Sequence, residues 1–311
     1  MKVIKTKCKD ILKIDTDITD VVEIQNKVEK VLVTGANGQL GYDVVKRLNE
    51  LGIEAIGVDK EDFDITNKED TQEYILSRKP DVVVHCAAYT AVDKAEEEKE
   101  ICYAINVDGT INIAEACKII DAKMVYISTD YVFDGLGTEP QLEDKNTNPI
   151  NYYGYTKERG EQNVRDILEK HYVIRTSWVY GINGNNFVKT MLKLAKSKDQ
   201  ISVVNDQIGA PTFAKDLAVL ICDIIQTTNY GTYHGVNEGY CSWYEFALTI
   251  FEKSSITIKV NPISTSEYPS KANRPLNSKL SKYSLDDKGF TRLPDWQDAL
   301  SRYLEELRNG V

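Results

Sequence analysis

Short apolar runs alternate with amphipathic segments along the first part of the chain, from Lys30 to about residue 180. The runs are rich in Val and Ile, and the segments between them repeat apolar residues three and four positions apart. Continuous apolar strands separated by helices are typical of a parallel sheet that is covered on both faces. The predicted strands are 31–33, 55–58, 81–86, 123–128 and 172–175. The pattern therefore predicts an α/β, Rossmann-like doubly wound sheet over residues 30–180.

The alternation changes beyond residue 180. Helices are predicted at 187–198, 215–225 and 295–307, and strands at 231–236 and 257–260. Ser242 with Glu245 three positions later has the capping-box spacing that begins a helix. We expect residues 181–311 to form mainly a smaller, mostly helical substrate-binding lobe, with some segments returning to the main sheet. Residues 1–29 carry no catalytic motif, and we treat them as an N-terminal extension of unknown role.

Composition narrows the class of protein. The chain has 311 residues and a formal net charge of -10, and it shows no basic stripe, so we expect no nucleic-acid partner. Its six cysteines form no C-x-x-C pair and no zinc-ligand spacing, which favours reduced thiols in a cytoplasmic protein. No apolar run approaches membrane-spanning length, so we expect no membrane partner.

A glycine turn follows the first strand and begins the first helix. Gly35, Gly38 and Gly41 are spaced G-x-x-G-x-x-G. In this context glycines allow a tight turn and a close approach of the backbone to pyrophosphate, and the helix N-terminus favours the phosphate charge. Asp59 ends the second strand, where an acid accepts hydrogen bonds from an adenosine ribose and favours NADH. Lys60 is adjacent and could meet a 2′-phosphate, so NADPH and NADH both stay open.

Tyr153 and Lys157 lie four residues apart at the start of a predicted helix, so they share a face. An ammonium beside a phenol lowers the phenol's pKa and makes it a better proton donor near neutral pH. Tyr152 and Tyr155 are close by, so the pair alone could be an ordinary helix face. Thr129 supports the catalytic interpretation because it follows the fourth strand, at the edge of the sheet where ligands bind.

Taken together, these motifs resemble one family, the dTDP-4-dehydrorhamnose reductases of the extended short-chain dehydrogenase/reductase superfamily. The resemblance spans roughly residues 30–305 in order. It rests on the Tyr153/Lys157 pair, on Arg274-Pro275, and on segments 35–41, 64–67, 86–96, 127–135, 175–181, 186–188 and 207–212. It implies reduction by NADPH or NADH of the 4-keto group of dTDP-6-deoxy-L-lyxo-4-hexulose, which gives dTDP-L-rhamnose.

The resemblance also implies roles for individual residues, with Thr129, Tyr153 and Lys157 as the catalytic set. The implied cofactor contacts are Gly35, Asn37, Gly38, Gln39, Leu40, Gly41, Asp59, Asp64, Ile65, Ala87, Ala88, Tyr89, Tyr153 and Lys157. The implied contacts with the dTDP-sugar are Thr129, Asp130, Trp178, Asn186, Gln207 and Arg274. Some members of the family are associated with Mg²⁺, for which the sequence places no site. A homodimer is a further expectation.

Two alternatives stay open at this point. The first is another nucleotide-sugar epimerase, dehydratase or reductase of the superfamily. The resemblance suggests that dehydratases carry Asp-Glu after the threonine, whereas Asp130 is followed here by Tyr131. The second is a cofactor-binding regulatory subunit without activity, which we would expect to lack Tyr153 or Lys157. Residues 1–14 weakly resemble the opening strand of dTDP-4-dehydrorhamnose 3,5-epimerase, and we interpret them as a remnant or a docking strand.

Overall fold

A six-stranded, wholly parallel sheet forms the centre of the structure, a computed structural model that describes residues 27–310. In spatial order the strands are β2 (Glu54–Val58), β1 (Lys30–Thr34), β3 (Val82–His85), β4 (Lys123–Thr129), β5 (His171–Thr176) and β10 (Gly231–His234). The predicted Rossmann-like doubly wound sheet is confirmed, and the five strands predicted from apolar runs are all present.

The other strands form two pairs and one group of three. These are β6 (Val179–Tyr180) with β9 (Thr212–Phe213), β7 (Gln200–Val204) with β12 (Lys259–Ile263), and β8 (Ile208–Gly209) with β11 (Cys241–Ser242) and β13 (Asn277–Ser278). The α-helices are α1 (Gln39–Glu50), α2 (Lys68–Arg78), α3 (Val92–Ala95), α4 (Lys99–Tyr103), α5 (Gly109–Ile119), α6 (Tyr152–Ile167), α7 (Phe187–Leu194), α8 (Ala214–Ile225), α9 (Trp243–Lys253), α10 (Tyr283–Asp287) and α11 (Trp296–Arg308). A π-helical turn, Ala104–Asp108, joins α4 to α5, and 3-10 turns lie at Asp130–Val132 and Thr265–Glu267. None of the helices in residues 27–310 is long and apolar enough to cross a membrane.

Apolar residues cover both faces of the sheet. On one face α1 and α8 pack against alternate residues of the central strands, and on the other face α2, α5 and α6 do so. Val31 and Val33 point to the first face and Leu32 to the second, as the two-residue period of a strand requires. A third apolar cluster lies within the later part of the chain, around Tyr180, Phe246 and other residues of β9, α7, α9 and α11.

Segments from the later part of the chain return to the main sheet. Strand β10 pairs with β5 at the sheet edge, and α8 covers one face. The predicted capping box is confirmed, because the Ser242 hydroxyl accepts from the amide of Glu245 while the Glu245 carboxylate accepts from the amide of Ser242. Helix α7 ends at Leu194, four residues earlier than expected, since residues 196–199 offer no apolar side chain to bury. The domain boundary near residue 180 stays a prediction.

The end of the N-terminal extension needs adjustment. Residues 1–26 lie outside the described residues, but residues 27–29 do not. Val28 is buried against the main core. The amides of Glu29 and Lys30 both donate to Asp81 Oδ2 at 2.9 Å, and the Glu29 carbonyl accepts from the amide of Glu54. We therefore propose that Val28 and Glu29 belong to the main fold rather than to the extension.

Two truncations test this boundary. The reference is the protein without residues 1–26, which keeps Val28 and Glu29. Deleting residues 1–29 should also remove the buried Val28 side chain and the backbone anchors on Asp81, which lowers the free energy of unfolding by about 2–3 kcal/mol. The measurement is urea unfolding of the two proteins side by side. Equal stability of the two truncated proteins would contradict the proposed boundary.

Candidate active site

A cleft of about 1010 Å³ opens at the carboxyl edge of the main sheet. Strand β1 lies between β2 and β3. The chain therefore goes from β1 to β2 on one side and then crosses to β3 on the other side. Such a reversal of strand order is the place where doubly wound sheets bind ligands. The cleft is lined from the glycine turn, the ends of β2, β3 and β4, helix α6, and the loops after β5. Most of the residues predicted for the cofactor site therefore surround one cavity.

The glycine turn has no room for side chains at two of its three positions. Gly35 has a φ of +68°, and a Cβ there would lie 2.7 Å from the amide nitrogen of Ala87. A Cβ at Gly41 would lie 2.2 Å from the carbonyl oxygen of Gly35. Gly38 is different, because its nearest neighbour would be 3.1 Å away and it lines the cleft. It caps α1 without a side-chain bond, so no side-chain cap occupies the amides of the first turn, which are suited to bind an anion.

The Asp59 carboxylate is fixed at the rim of the cleft. Its Oδ2 accepts from the amide of Asn37 at 3.1 Å, and its Oδ1 accepts from the amide of Lys60 at 2.9 Å. The Asn37 backbone thus holds Asp59 beside the glycine turn, although Asn37 itself does not line the cleft. The Lys60 side chain is 85% exposed, with Nζ 3.9 Å from Glu61. Farther along the same wall lie Asp64, Ile65 and Phe63.

Thr129 and Asp130 lie at the end of β4, inside the cleft. The Thr129 hydroxyl donates to Asp130 Oδ1 at 3.0 Å and accepts from the amide of Tyr131 at 3.2 Å. Burial raises the pKa of Asp130 to about 6. Within the described residues, Asp130 Oδ2 has no hydrogen-bond partner although it is buried. Asp130 lines the cleft, so its carboxylate lies beside the space that a ligand would occupy.

Tyr153 and Lys157 line the cleft from the first turns of α6. Burial, followed by the negative charge of Asp130, raises the pKa of Tyr153 well above its ordinary value. Burial lowers the pKa of Lys157 to about 7. The expected depression of the tyrosine pKa by the lysine is therefore absent here, because desolvation of the phenol outweighs any attraction between the pair.

Helix α6 begins at a cap that the sequence supplies. The side chain of Asn151 accepts from the amide of Gly154 at 2.7 Å, and its amide donates to the carbonyl of Asn273 at 2.8 Å. A Cβ at Gly154 would lie 2.1 Å from the carbonyl oxygen of Tyr131. One turn past the lysine, Gly160 leaves room for the hydroxyl of Tyr126 in the same way. These close approaches bring the helix directly over the end of β4.

An aromatic pair closes the far side of the cleft. Trp178 stacks on Trp243, with ring centroids 3.7 Å apart and an interplanar angle of 15°, and both rings line the cavity. Trp178 has a φ of +50°, a strained value for a residue other than glycine. Gly209 allows the stack, because a Cβ there would lie 2.8 Å from the Trp178 ring. Sequence reasoning missed Trp243, whose helical spacing indicated only a packed helix face.

Six predicted site residues lie outside the cleft lining: Asn37, Gly41, Tyr89, Asn186, Gln207 and Arg274. Asn186 caps α7 and donates to Gln39 Oε1 at 3.1 Å and to the Gly181 carbonyl. Gln39 Oε1 also accepts from the amide of Gly181, so these groups hold Gln39 at the cleft. The side-chain amide of Gln207 donates to Thr265 at 3.1 Å.

Two of these outlying residues bind carboxylates at the cleft mouth. Arg274 donates to Asp93 Oδ2 at 2.7 Å and to the Tyr131 hydroxyl at 3.2 Å. The Tyr89 hydroxyl donates to Glu98 at 2.5 Å. Tyr131, which lines the cleft, was not among the predicted site residues, since nothing in the sequence pattern separates it from the tyrosines nearby. In residues 27–310, no group of three or more His, Cys, Asp or Glu side chains could hold a metal ion, so the described residues do not fit the Mg²⁺ that the resemblance suggested.

Comparison with known proteins places this cleft in context. A model of the RmlD substrate binding domain family matches residues 29–309. The chain is 41% identical over 291 residues to dTDP-4-dehydrorhamnose reductase of Escherichia coli strain K12, covering 89% of this chain and 97% of the relative. It is 43% identical over 277 residues to the spore coat polysaccharide biosynthesis protein SpsK of Bacillus subtilis strain 168, with the same coverage.

Solved structures give the same result. The structure of dTDP-4-dehydrorhamnose reductase from Bacillus anthracis in complex with NADP is 46% identical, with a TM-score of 0.88 and coverage of 90% of this chain and 100% of that one. The reductase from Clostridium acetobutylicum has the same TM-score at 45% identity, covering 90% and 99%. UDP-glucose 4-epimerase of Thermus thermophilus, at 19% identity and a TM-score of 0.78, shares the fold alone.

The glycine turn predicts opposite outcomes at two of its positions. Gly38→Val should weaken binding of the dinucleotide by about tenfold or more with little loss of stability, because the side chain enters the cleft. Gly41→Ala should lower the free energy of unfolding by about 1–3 kcal/mol, because its Cβ meets the Gly35 carbonyl. Fluorescence titration with NADPH and NADH and thermal melts measure both. The interpretation is wrong if Gly38→Val binds both cofactors as the parent does.

Proposed function

This chain belongs to the dTDP-4-dehydrorhamnose reductase family, and from that premise we propose how its cleft carries out the reaction. The enzyme reduces the 4-keto group of dTDP-4-dehydro-L-rhamnose with a nicotinamide cofactor, giving dTDP-L-rhamnose. One observation supports the roles proposed below. The glycine turn and the set Thr129, Tyr153 and Lys157 line the same cavity, although they are more than 80 residues apart in sequence.

The cofactor side of the cleft fits a dinucleotide. Gly38, Gln39 and Leu40 would hold the pyrophosphate at the first turn of α1, where amides without intrahelical partners favour negative charge. Asp59 would accept from the adenosine ribose. Adenine would lie beside Asp64 and Ile65, and Ala87 and Ala88 would line the nicotinamide side. When bound here, the nicotinamide cofactor supplies the hydride.

The proton comes from the chain itself. We propose that the Tyr153 hydroxyl donates it to the C4 oxygen of the sugar. The Thr129 hydroxyl, which donates to Asp130 Oδ1 in the free cleft, would turn to donate a hydrogen bond to the same sugar oxygen. The raised pKa of Tyr153 keeps this proton on the phenol in the free cleft. The Lys157 ammonium then stabilises the phenolate that remains. A pKa of about 7 for Lys157 keeps a large fraction of the lysine charged near neutral pH.

The sugar nucleotide would occupy the other half of the cleft. Asp130 would accept from a sugar hydroxyl, and the Trp178 and Trp243 rings offer an apolar wall. Arg274 lies at the cleft mouth, where a guanidinium suits a diphosphate. For Asn186 we propose an indirect role, since it holds Gln39 rather than facing the cavity. The role of Gln207 stays a prediction.

The choice between NADH and NADPH has support on both sides. Asp59 favours NADH, whereas the Bacillus anthracis relative was solved with NADP. We therefore propose that both cofactors serve, and assays at 340 nm with each cofactor would compare their rates. The five cysteines in the described residues are free, which supports a cytoplasmic setting. A homodimer is proposed from the family resemblance, and the mass in solution would test it.

Replacing the proton donor is the direct test of the mechanism. Tyr153→Phe should lower kcat by about two to four orders of magnitude, the usual contribution of general acid catalysis. Cofactor titration should change little. Tyr155→Phe is the matched control, because this tyrosine lies on the same helix, is 40% exposed and does not line the cleft. Near-parental turnover by Tyr153→Phe would contradict the assignment.

The tryptophan stack gives a second test. Trp178→Ala should raise KM for the sugar nucleotide or lower kcat, with a modest loss of stability, because the ring borders the cavity. Trp296→Ala is the control, since Trp296 is buried in the apolar cluster of the lobe and its truncation should cost about 3–5 kcal/mol. Steady-state kinetics and melting curves measure the two. If Trp178→Ala behaves as Trp296→Ala does, with unchanged kinetics in the folded fraction, Trp178 belongs to the core.

A further inference from the structure

The Lys157 side chain is buried without a carboxylate partner. It is 3% exposed, and within residues 27–310 its ammonium forms no ion pair and no hydrogen bond with the protein. The ring of Tyr126 on β4 is an electron-rich group in contact with this ammonium. The Lys157 Nζ lies over that ring, 4.1 Å from its centroid. An ammonium in this position is attracted by the negative face of the ring, and the attraction strengthens when water is excluded.

Tyr126 also holds the backbone of the lysine. Its hydroxyl donates to the carbonyl oxygen of Lys157 at 3.2 Å. The Tyr126 ring is wholly buried, so it is fixed in place by the core beneath α6. Gly160 gives the hydroxyl the space it needs, because a Cβ there would lie 2.1 Å away. One tyrosine therefore contacts both ends of the same lysine.

Other groups around Lys157 do not replace this contact. Glu161, on the same helix, is the nearby anion, and its charge raises the pKa of Lys157 against the effect of burial. It forms no ion pair with the lysine in residues 27–310, because Arg175 binds it through two hydrogen bonds of 2.8 Å and Arg165 through one of 2.7 Å. The remaining titratable neighbours are neutral near pH 7. These are His85 at the end of β3, Cys86 directly after it, Cys102 on α4, and Tyr153 on α6.

We propose that Tyr126 is a positioning residue for Lys157, whose ring face holds the ammonium in the cleft and favours its charged form. The inference rests on the proposed function, in which a charged Lys157 stabilises the phenolate of Tyr153. Burial alone pushes the lysine toward its neutral form, and the ring opposes that effect. Without the ring, less of the lysine is charged near neutral pH, and the lysine is free to adopt other rotamers.

The test varies the electron density of the ring while keeping its size. The parent is compared with Tyr126→Phe, Tyr126→pentafluorophenylalanine and Tyr126→Leu. Phe keeps the negative face and loses only the hydroxyl, whereas pentafluorophenylalanine reverses the charge of the face in nearly the same volume. The pKa of Lys157 is measured in the free protein by NMR of ¹³C-labelled lysine, with Lys157→Met identifying the resonance. The pH dependence of kcat/KM is measured on the same proteins.

We expect Phe to leave the lysine pKa within about 0.3 unit of the parent, since Phe also presents an aromatic face. Pentafluorophenylalanine and Leu should lower the pKa by about one unit, because a buried cation–π contact has roughly that worth. The alkaline limb of kcat/KM should move to lower pH by the same amount, since only the charged lysine supports turnover. Because the fluorinated ring is close in size to Phe, this arm stands even if the Leu protein fails to fold.

Equal lysine pKa values in the Phe and pentafluorophenylalanine proteins would overturn the inference. A different failure would point to the proposed function instead. If the NMR pKa falls as expected but the alkaline limb of kcat/KM does not follow, then the ring acts on Lys157 as inferred and the lysine charge is not needed for turnover. The two failures are therefore distinguishable in a single set of variants.

Discussion

Helix α6 lies so close to the end of β4 that two positions on its inner face have no room for a side chain. Glycine in a helix interior is destabilising by about 0.5–1 kcal/mol relative to Ala, so Gly154 and Gly160 must be compensated by what they allow. Gly154 lets the helix approach the Tyr131 carbonyl, and Gly160 lets it pass over the Tyr126 hydroxyl. This separation sets the position of Tyr153, which directly precedes the first glycine, and of Lys157, which lies between the two; both line the cleft.

The same contact determines the electrostatics of the site. A helix packed this tightly excludes water, so the pKa of Tyr153 rises and that of Lys157 falls. One turn further along, Glu161 joins α6 to β5 through its bonds with Arg175. A buried pair of this kind contributes little net stability, but losing one partner leaves an uncompensated charge. The pair therefore fixes the helix against the neighbouring strand as the glycines fix it against β4.

Periodicity and strand ends could predict much of this architecture. The apolar runs located the strands, and Thr129 was identified because ligands bind beyond the carboxyl ends of parallel strands. Desolvation could not be predicted from spacing, so the direction of the Tyr153 pKa shift was wrong. The Trp178–Trp243 stack joins residues 65 positions apart and leaves no local pattern. Gly154 and Gly160 are a signal that the sequence contains, since two glycines in one predicted helix indicate that the helix packs closely against a neighbouring element.

The most direct measurement is a double-mutant cycle between Gly160 and Tyr126. Gly160→Ala alone should lower kcat strongly and reduce stability, because its Cβ meets the Tyr126 hydroxyl at 2.1 Å and moves the helix. In the Tyr126→Phe background that oxygen is gone, although the Cβ would still lie 2.7 Å from ring carbon Cζ, so the same substitution should lower kcat and stability less but not be neutral. The expected coupling free energy between the two substitutions is about 0.5–3 kcal/mol in stability, and kcat of the double variant should partly recover. Parental kcat in Gly160→Ala, or additive losses in the double variant, would contradict it.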